Sequence, residues 1–424
     1  MLSINSQYPF RGVVVYILIF VSKRIVIAGA GHAAGQVVAT LKQKQFDGDI
    51  VLVGEESYLP YQRPPLSKKF LAGEMDAERL HFKPTSFYED PNIELRLNTR
   101  IASIDLSAKK LATARDEAIA YDTLIVATGS RAREVPVDGS DFDGVHYLRS
   151  IDDVIAIRQR LKNSQSLVIV GAGYIGLEVA AVTRQLGLNV TVIELANRVM
   201  SRVVSEQVSE FYQSEHLARG VHFELSTGLK AFHGHAGLTA VETTDGRMIE
   251  ADFAIIGAGI VPNTGLAEVA GLKIDNGIVV DERCQTSDPN VYAVGDCTSH
   301  PNSIYGRRLR LESVHNALEQ AKVAAANACG EDLTYSQVPW FWSDQYDLHL
   351  QIAGLSEGYD EVVMRGDPIE RSFSCVYLRQ DRVIAIDAIN SPRDFVQAKQ
   401  LIANAATPNR QELADVEIML KNLA

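Results

Sequence analysis

Two short glycine-containing segments are the residues of this chain best suited to bind a diphosphate. In the first, Gly29 and Gly31 follow a short β-branched run and precede a helix-forming stretch. Gly29 allows a sharp turn, and Gly31 lets the backbone approach phosphate oxygens. Ala34 is small, like the usual third glycine of such loops, and so permits close packing of helix on strand. The free amides and the dipole of the helix start attract the anion.

The second segment repeats this pattern with all three glycine positions filled. Gly171, Gly173 and Gly176 follow the β-branched run 167–170 and open another helix-forming stretch. A single loop of this kind recurs by chance, but two copies in a strand–turn–helix context are much more specific. The pair predicts two dinucleotide-binding domains.

An acidic residue follows the next predicted strand after each loop. Glu55 follows the strand 49–54, and Glu194 follows the strand that ends at residue 193. An acid at this position accepts hydrogen bonds from a ribose diol, and Glu194 would favour NAD because it repels the 2′-phosphate of NADP. Because Glu56 is adjacent to Glu55, the sequence leaves open which of the two carboxylates accepts the hydrogen bonds of the ribose. We favour Glu55. Arg198 lies close enough to weaken the preference for NAD.

A proline-rich segment, residues 60–68, carries the two cations Arg63 and Lys68. Its prolines make the backbone stiff and non-helical before a helix that we predict to start near Leu66. A rigid segment with two cations suits an anionic or electron-rich ligand. The alternative is a surface linker with two solvated cations.

Three other predicted strands end in residues that suit a nucleotide. The strand at 124–126 leads into Ala127, Thr128 and Gly129, where glycine lets the backbone lie close to a ligand. The run at 254–264 repeats this pattern. A third strand ends at Asp296, which can accept hydrogen bonds from polyol hydroxyls or lie at a helix start.

Composition limits the possible partners. At 424 residues the chain can form two or three domains, and its 46% hydrophobic and 22% charged content is that of a globular protein. Its net charge of −12 argues against general binding to nucleic acid or to anionic membranes. The four cysteines are far apart in sequence, which excludes a CxxC pair and zinc-like spacing. Reduced thiols and a cytoplasmic location are expected.

The N-terminus contains a nine-residue apolar run, Val13–Val21. It is too short to span a bilayer, which needs about 20 residues. No small-residue cleavage site separates it from the first strand, so export is the less favoured alternative. We expect residues 1–22 to be an extension outside the fold.

The remaining pattern defines the elements that must position these residues. We predict a first helix over 32–44 and another over 312–328. Strand-like runs at 347–353, 360–364, 372–379 and 382–388, followed by a helix over 392–404, indicate a smaller α+β domain. The predicted division is 23–131 with 254–332 for a discontinuous first domain, 132–253 for a second and 333–424 for a third.

Taken together, these motifs resemble the NADH-dependent ferredoxin reductases that supply cytochromes P450 and aromatic-ring dioxygenases. The resemblance covers the chain from Lys23 onward and adds the motifs Tyr61–Lys68, Gly295–Cys297 and Pro339–Gln345 to the two glycine loops. It implies a glutathione reductase-like α/β fold with two Rossmann-like dinucleotide-binding domains, for FAD and NAD, plus a C-terminal α+β domain.

The resemblance assigns the first loop to tightly bound FAD and the second to exchangeable NADH. The implied FAD contacts are Gly29, Gly31, His32, Ala33, Ala34, Glu55, Arg63, Lys68, Ala127, Thr128, Gly129, Arg131, Asp296, Val314 and Trp342. The implied NAD contacts are Gly171, Gly173, Tyr174, Ile175, Gly176, Glu178, Glu194, Gly259 and Ile260.

Three of these residues have implied catalytic roles. Lys68 would lie near the flavin N5 edge, pair with Glu178 and stabilise negative charge on the reduced flavin. Tyr174 would shield the flavin where nicotinamide stacks, and Trp342 would lie on the other side. The alternatives are an interdomain ion pair without a catalytic role for Lys68 and Glu178, and plain packing for Trp342. His315 is expected to have a packing role.

The implied activity is electron transfer from NADH through FAD to a [2Fe–2S] ferredoxin in a transient electrostatic complex. Flavin is needed because nicotinamide gives electron pairs and the cluster accepts single electrons. Arg307, Arg308 and Arg310 are candidates for a basic docking patch, or else a solvated face. The alternatives are reduction of rubredoxin or a related carrier, and an NADH-sensing flavoprotein similar to apoptosis-inducing factor. A monomer or weak dimer is expected.

Overall fold

The computed structural model describes residues 23–424 and builds them into three units, each centred on a five-stranded sheet. Our prediction for residues 1–22 lies outside this range. Within the described range, no helix combines the length and apolar character needed to cross a membrane. The predicted fold class, two Rossmann-like units plus a C-terminal α+β unit, is confirmed.

The first sheet is parallel and holds the first glycine loop. Its order across the sheet is Val291–Ala293, Thr123–Val126, Arg24–Ala28, Asp49–Val53 and Ile93–Arg96. The first four of these strands are almost wholly buried because helices cover one face of the sheet and smaller elements cover the other, which explains their continuous apolar sequences. The helices His32–Gln43 and Val314–Ala328 pack against each other on one face.

The second sheet is also parallel and holds the second loop. Its order is Val221–Glu224, Asn189–Ile193, Ser166–Val170, Phe253–Ile256 and Val145–Tyr147. Its helices are Ile151–Leu161, Tyr174–Gln185 and Glu206–Ala218.

This order corrects one predicted domain boundary. We assigned residues 254–256 to the first domain, but they belong to the strand Phe253–Ile256, which pairs with residues 167–170 at the centre of the second sheet. The boundary lies a few residues later, where Ile260–Pro262 pairs antiparallel with Ser130–Ala132. These two short strands carry the chain into the second unit and back.

Smaller elements fill the space around the two sheets. Three-stranded antiparallel sheets are formed by Ile101–Asp105, Lys110–Thr113 and Ala118–Ala120, and by Leu229–Gly234, Leu238–Thr243 and Met248–Glu250. A mixed sheet contains Ile278–Val279, Thr298–Asn302 and Arg307–Leu309. The short helices are Pro64–Ser67, Lys69–Ala72, Ala77–Leu80, Thr85–Tyr88, Gly265–Val269, Arg410–Ala414 and Leu420–Leu423.

The C-terminal sheet is antiparallel. Its order is Trp340–Gln345, Leu348–Gly354, Arg382–Ile389, Ser372–Arg379 and Glu361–Asp367, and the helix Pro392–Ala403 packs on it. Side chains alternate faces along a strand. On the first strand Phe341, Ser343 and Gln345 therefore share one face, which meets the second unit, while Trp340 and Trp342 share the other.

Candidate active site

A cleft of about 1120 Å³ opens at the first glycine loop, between all three units. It gathers residues from segments far apart in sequence, which is typical of the carboxyl edge of a parallel sheet. The predicted site residues that line it are Gly29, Gly31, His32, Ala33, Glu55, Arg63, Lys68, Ala127, Thr128, Gly129, Arg131, Ile175, Glu178, Ile260, Asp296, Val314 and Trp342.

The geometry of the first loop fits a diphosphate. Gly29 has φ +119°, and a Cβ there would lie 2.2 Å from the carbonyl oxygen of Ala127, so only glycine is accommodated. A Cβ at Gly31 would meet no heavy atom within 4 Å. This open cradle lies at the start of a twelve-residue helix that has no side-chain cap, so its first amides remain free to bind an anion.

Ala34 contributes to this site through packing. It is 0% exposed and does not line the cleft. Its methyl group is accommodated between helix and sheet, so the third position of this loop requires a small residue rather than glycine.

The two adjacent acids after the second strand have different environments. The Glu56 carboxylate accepts hydrogen bonds from the Tyr61 hydroxyl at 2.6 Å and from Arg63 at 2.9 Å. Glu55 lines the cleft with its side chain 71% exposed and forms a long ion pair of 3.8 Å with Arg100. The carboxylate available to a ligand is therefore that of Glu55.

Asp296 is held by two residues that sequence reasoning missed. Its Oδ2 accepts hydrogen bonds from Ser130 Oγ at 2.8 Å and from Arg149 at 3.1 Å. Arg149 also donates to the backbone carbonyl of Ser130 at 3.0 Å. No local pattern marks Arg149, because it follows a strand of the second unit and reaches the first unit only in the folded chain.

His32 is neutral in this environment. It begins the helix after the first loop and lines the cleft. Burial lowers the pKa of His32 to about 4, and the nearby cations Arg63 and Arg149 lower this pKa further while Asp296 opposes them. The loop therefore presents uncharged donors, with the positive charge supplied by the two arginines.

The Glu178 carboxylate is the point at which all three units meet. Lys68 Nζ lies 2.7 Å from Oε2, and Ser67 Oγ donates to the same oxygen at 2.5 Å. Ser343 Oγ, from the C-terminal sheet, donates to Oε1 at 2.7 Å. Glu178 is 1% exposed, so its charge is offset within the protein. The predicted Lys68 contact is present, and the two serines belong to motifs that we recognised without assigning them this role.

The aromatic residues differ in part from the prediction. Trp342 lines the cleft, as does Phe341. Tyr174 does not: its ring packs on Phe341 with centroids 4.8 Å apart, and burial raises its pKa well above the usual value. The helix start points residue 174 into the apolar contact with the C-terminal sheet, and Ile175 faces the cleft instead. The shielding role of Tyr174 stays a prediction.

His315 packs against an aromatic ring of the C-terminal sheet. Its ring lies 5.3 Å from that of Trp340, whose ring lies 5.5 Å from Trp342. Burial lowers the pKa of His315 to about 4, so it is neutral near pH 7.

The second loop has the same local geometry as the first. Gly171 has φ +105°, a Cβ at Gly173 would meet nothing within 4 Å, and a Cβ at Gly176 would lie 2.1 Å from the Gly171 carbonyl oxygen. The predicted neighbour Gly259 lies in the turn after residues 253–256, with φ +90°. Ile260, which we expected at this loop, lines the first cleft.

Glu194 lies at the end of the strand beside this loop. Its two oxygens accept hydrogen bonds from the amides of Ala172 at 2.7 Å and Ala196 at 2.8 Å. Arg198 donates instead to backbone carbonyls, at 2.9 Å to Ser201 and 3.1 Å to Val204. The guanidinium is thus engaged away from the acid, which leaves a negative charge at the loop.

The three arginines considered for partner docking do not form a free basic patch. Two of them pair with acidic residues, Arg307 with Glu357 and Arg310 with Glu312. Arg308 donates to a backbone carbonyl at 2.7 Å. Two of the three charges are thus paired, Arg307 with a residue remote in sequence and Arg310 with one two positions away. The docking role of these arginines stays a prediction.

Comparison with known proteins places these features in a family. Residues 23–321 match the family model described as pyridine nucleotide-disulphide oxidoreductase, and residues 340–424 match a reductase C-terminal domain. A ferredoxin reductase subunit of 5,5′-dehydrodivanillate O-demethylase from Sphingobium is 44% identical over 94% of this chain and 97% of its own length.

Two other similarities bear on the carrier. A rubredoxin-NAD(+) reductase from Pseudomonas putida is 41% identical, covering 87% of this chain and 96% of its own. The reductase in a crystal structure of the covalent putidaredoxin reductase–putidaredoxin complex superposes with a TM-score of 0.91 at 40% identity, covering 95% of this chain and 98% of that one.

Proposed function

We propose a function from one premise: the chain belongs to the pyridine nucleotide-disulphide oxidoreductase family and, within it, to the ferredoxin reductases. The family uses FAD and a nicotinamide cofactor. We propose that this protein passes electrons from NADH, through tightly bound FAD, to a [2Fe–2S] ferredoxin that serves a cytochrome P450 or ring-hydroxylating dioxygenase.

The observation that carries the proposal is the Lys68–Glu178 pair in the wall of the first cleft. A cation fixed at 2.7 Å from a buried carboxylate provides a charge that is already in place when a ligand gains negative charge. No cysteine is among the residues that line the cleft. That supports direct electron transfer rather than the disulphide chemistry in the family's name.

Bound FAD would supply the chemistry that converts hydride transfer into single-electron transfer. The chain's own residues would hold and shield it. Gly31 leaves room for the diphosphate, Glu55 accepts from the adenosine ribose, and Asp296 accepts from the ribityl hydroxyls. The Phe341 and Trp342 side chains would exclude water from the inner wall.

The second loop supports NADH as the donor. A carboxylate held at Glu194 by two backbone amides repels an added 2′-phosphate. Arg198, the cation that could have offset this repulsion, is engaged with backbone carbonyls. NADH would therefore be preferred over NADPH.

A stopped-flow assay of the FAD-loaded protein tests the carrier. NADH is mixed with the protein and cytochrome c, with and without each member of a panel of [2Fe–2S] ferredoxins and a rubredoxin. Cytochrome c reduction should depend on one ferredoxin. Equal rates with and without every ferredoxin would contradict the proposal, and dependence on rubredoxin alone would assign the other carrier.

A further inference from the structure

A continuous series of hydrogen bonds extends from Glu178 away from the cleft. After Ser343, which donates to Oε1, come Gln345, His216 and Tyr346. Gln345 Nε2 donates to Ser343 Oγ at 3.2 Å, and Gln345 Oε1 lies 2.9 Å from His216 Nε2. The other ring nitrogen of His216 lies 3.2 Å from the Tyr346 hydroxyl. We name Ser343, Gln345, His216 and Tyr346 the support chain.

The hydrogen bonds of the support chain share one direction. Ser343 must donate to the carboxylate, so its oxygen accepts from the amide of Gln345. The carbonyl of Gln345 must then accept from His216 Nε2–H, which leaves Nδ1 to accept from Tyr346. Burial lowers the pKa of His216 to about 4, so the ring is neutral and has the single N–H that this direction requires.

The support chain is built from two units and is shielded from solvent. Ser343, Gln345 and His216 are each 0% exposed. Ser343 and Gln345 share one face of a strand in the C-terminal sheet, and His216 reaches them from the helix Glu206–Ala218 of the second unit. Buried polar residues in an otherwise apolar contact cost stability, so a simple packing role would be met better by apolar side chains.

A buried carboxylate with a missing donor is strongly disfavoured, whereas one with every donor fixed keeps its charge and orientation. Glu178 has donors on both oxygens, from Ser67 and Lys68 on one side and from the support chain on the other. We propose that the support chain positions the Glu178 carboxylate opposite Lys68 and thereby sets the reduction potential of FAD in the cleft. This inference rests on the proposed function only in placing FAD there.

The test is a spectroelectrochemical titration of the FAD-loaded protein without any ferredoxin. Ser343→Ala removes the donor to Oε1, so the carboxylate is no longer held in place opposite Lys68 and offsets less of the Lys68 charge. Negative charge on reduced flavin is then favoured and the midpoint potential rises. We expect the equilibrium with NADH to move toward reduced flavin by about tenfold, the usual effect of one hydrogen bond to a charged group.

Further variants separate positioning from packing. His216→Phe keeps an aromatic ring but breaks the support chain, and should raise the potential less. Ser343→Thr keeps the hydroxyl and should retain the wild-type potential. Ser209→Ala is the matched control, because Ser209 is equally buried on the same helix as His216 but donates to the Val199 carbonyl outside the support chain. It should lower the melting temperature and leave the potential unchanged.

The inference is overturned if Ser343→Ala and His216→Phe both keep the wild-type potential, or if Ser209→Ala shifts the potential as much as they do. His216→Phe provides the measurement if Ser343→Ala does not fold. Failure of the proposed function would look different, since a protein that reduces no ferredoxin still has a measurable flavin potential.

Discussion

Around Gly31 the cleft walls come from all three units, whereas the acid that follows the second loop, Glu194, is bound within its own unit. The first loop opens into a cleft to which the second sheet contributes Arg149 and the C-terminal sheet contributes Trp342. At the second loop the acid Glu194 bonds to amides of its own unit. Two nearly identical local structures therefore have different surroundings.

The difference shows that a glycine loop specifies where a diphosphate binds, not how firmly the whole ligand is held. Walls from three units can enclose a large cofactor, and its release would require them to separate. A loop whose ribose-binding acid is bound only within its own unit is better suited to an exchangeable ligand. The proposed assignment of FAD to the first loop and NADH to the second follows from this contrast, and four experiments can break or sharpen it.

The largest expected effect comes from filling the open space beside Gly31 or Gly173 with a side chain. Gly31 and Gly173 both have negative φ and open space at Cβ, so leucine fits either fold but occupies the phosphate position. Gly31→Leu should be purified without FAD, whereas Gly173→Leu should keep FAD and raise the KM for NADH by about 100-fold, or about 2.7 kcal/mol. The measurements are the flavin-to-protein absorbance ratio and steady-state kinetics. A full FAD content in Gly31→Leu would reverse our assignment of the loops.

The third position of the loops offers a second comparison. A Cβ at Gly176 would lie 2.1 Å from a backbone oxygen that cannot move freely, so Gly176→Ala should lower the free energy of unfolding by about 1–3 kcal/mol. Ala34→Gly should lower it by about 1 kcal/mol, the helix penalty of glycine. Urea unfolding followed by circular dichroism measures both. Wild-type stability of Gly176→Ala would show that helix and strand can separate there.

The acids after the two loops should affect different cofactors. Glu194→Ser removes the charge that repels a 2′-phosphate and should narrow the preference for NADH over NADPH by about tenfold in kcat/KM. Glu194→Gln keeps an acceptor for the backbone amides and tests the charge alone. Glu55→Gln should weaken FAD binding and leave the ratio of NADH to NADPH efficiency unchanged. An unchanged ratio in both Glu194 variants would refute the proposed role of that carboxylate.

The smallest expected effect is on the pH dependence of the free energy of unfolding. The helix after the first loop starts with His32, whereas the helix after the second loop starts with Tyr174. The pKa of His32 is about 4 in the folded protein and 6.5 in the reference state, so the unfolded chain binds more protons between these values. Stability is therefore lost as the pH falls from 6.5 toward 4. In FAD-free protein, His32→Asn should reduce the loss between about pH 7.5 and about pH 6 by about 1 kcal/mol at most. Urea midpoints at both pH values provide the measurement, and an unchanged difference would contradict the pKa shift.

Much of the local structure was predictable from short-range pattern. Both glycine loops, the helix from His32 and four of the C-terminal strands lie within a few residues of the predicted bounds. The resemblance to ferredoxin reductases is confirmed by relatives 40–44% identical over most of the chain. These features depend on residue type and spacing along one segment, so the sequence contains them directly.

The errors have one physical origin. Residues 254–256 were assigned to the wrong unit because their partner, residues 167–170, is remote in sequence. Spacing likewise could not show that Tyr174 packs on Phe341 or that Arg307 pairs with Glu357, because both partners come from other segments. Arg149 was missed for the same reason.

By itself, the sequence determined the strand–turn–helix segments, the residues that could bind phosphate and ribose, and the family. Only the tertiary structure decided that Glu55 rather than Glu56 is available, that Arg198 is turned away from Glu194, and that the carboxylate of Glu178 is held by three units. Hydrogen bonds and ion pairs act over about 3 Å. Which polar atoms come within that distance depends on how the units pack, and no local pattern in the chain records it.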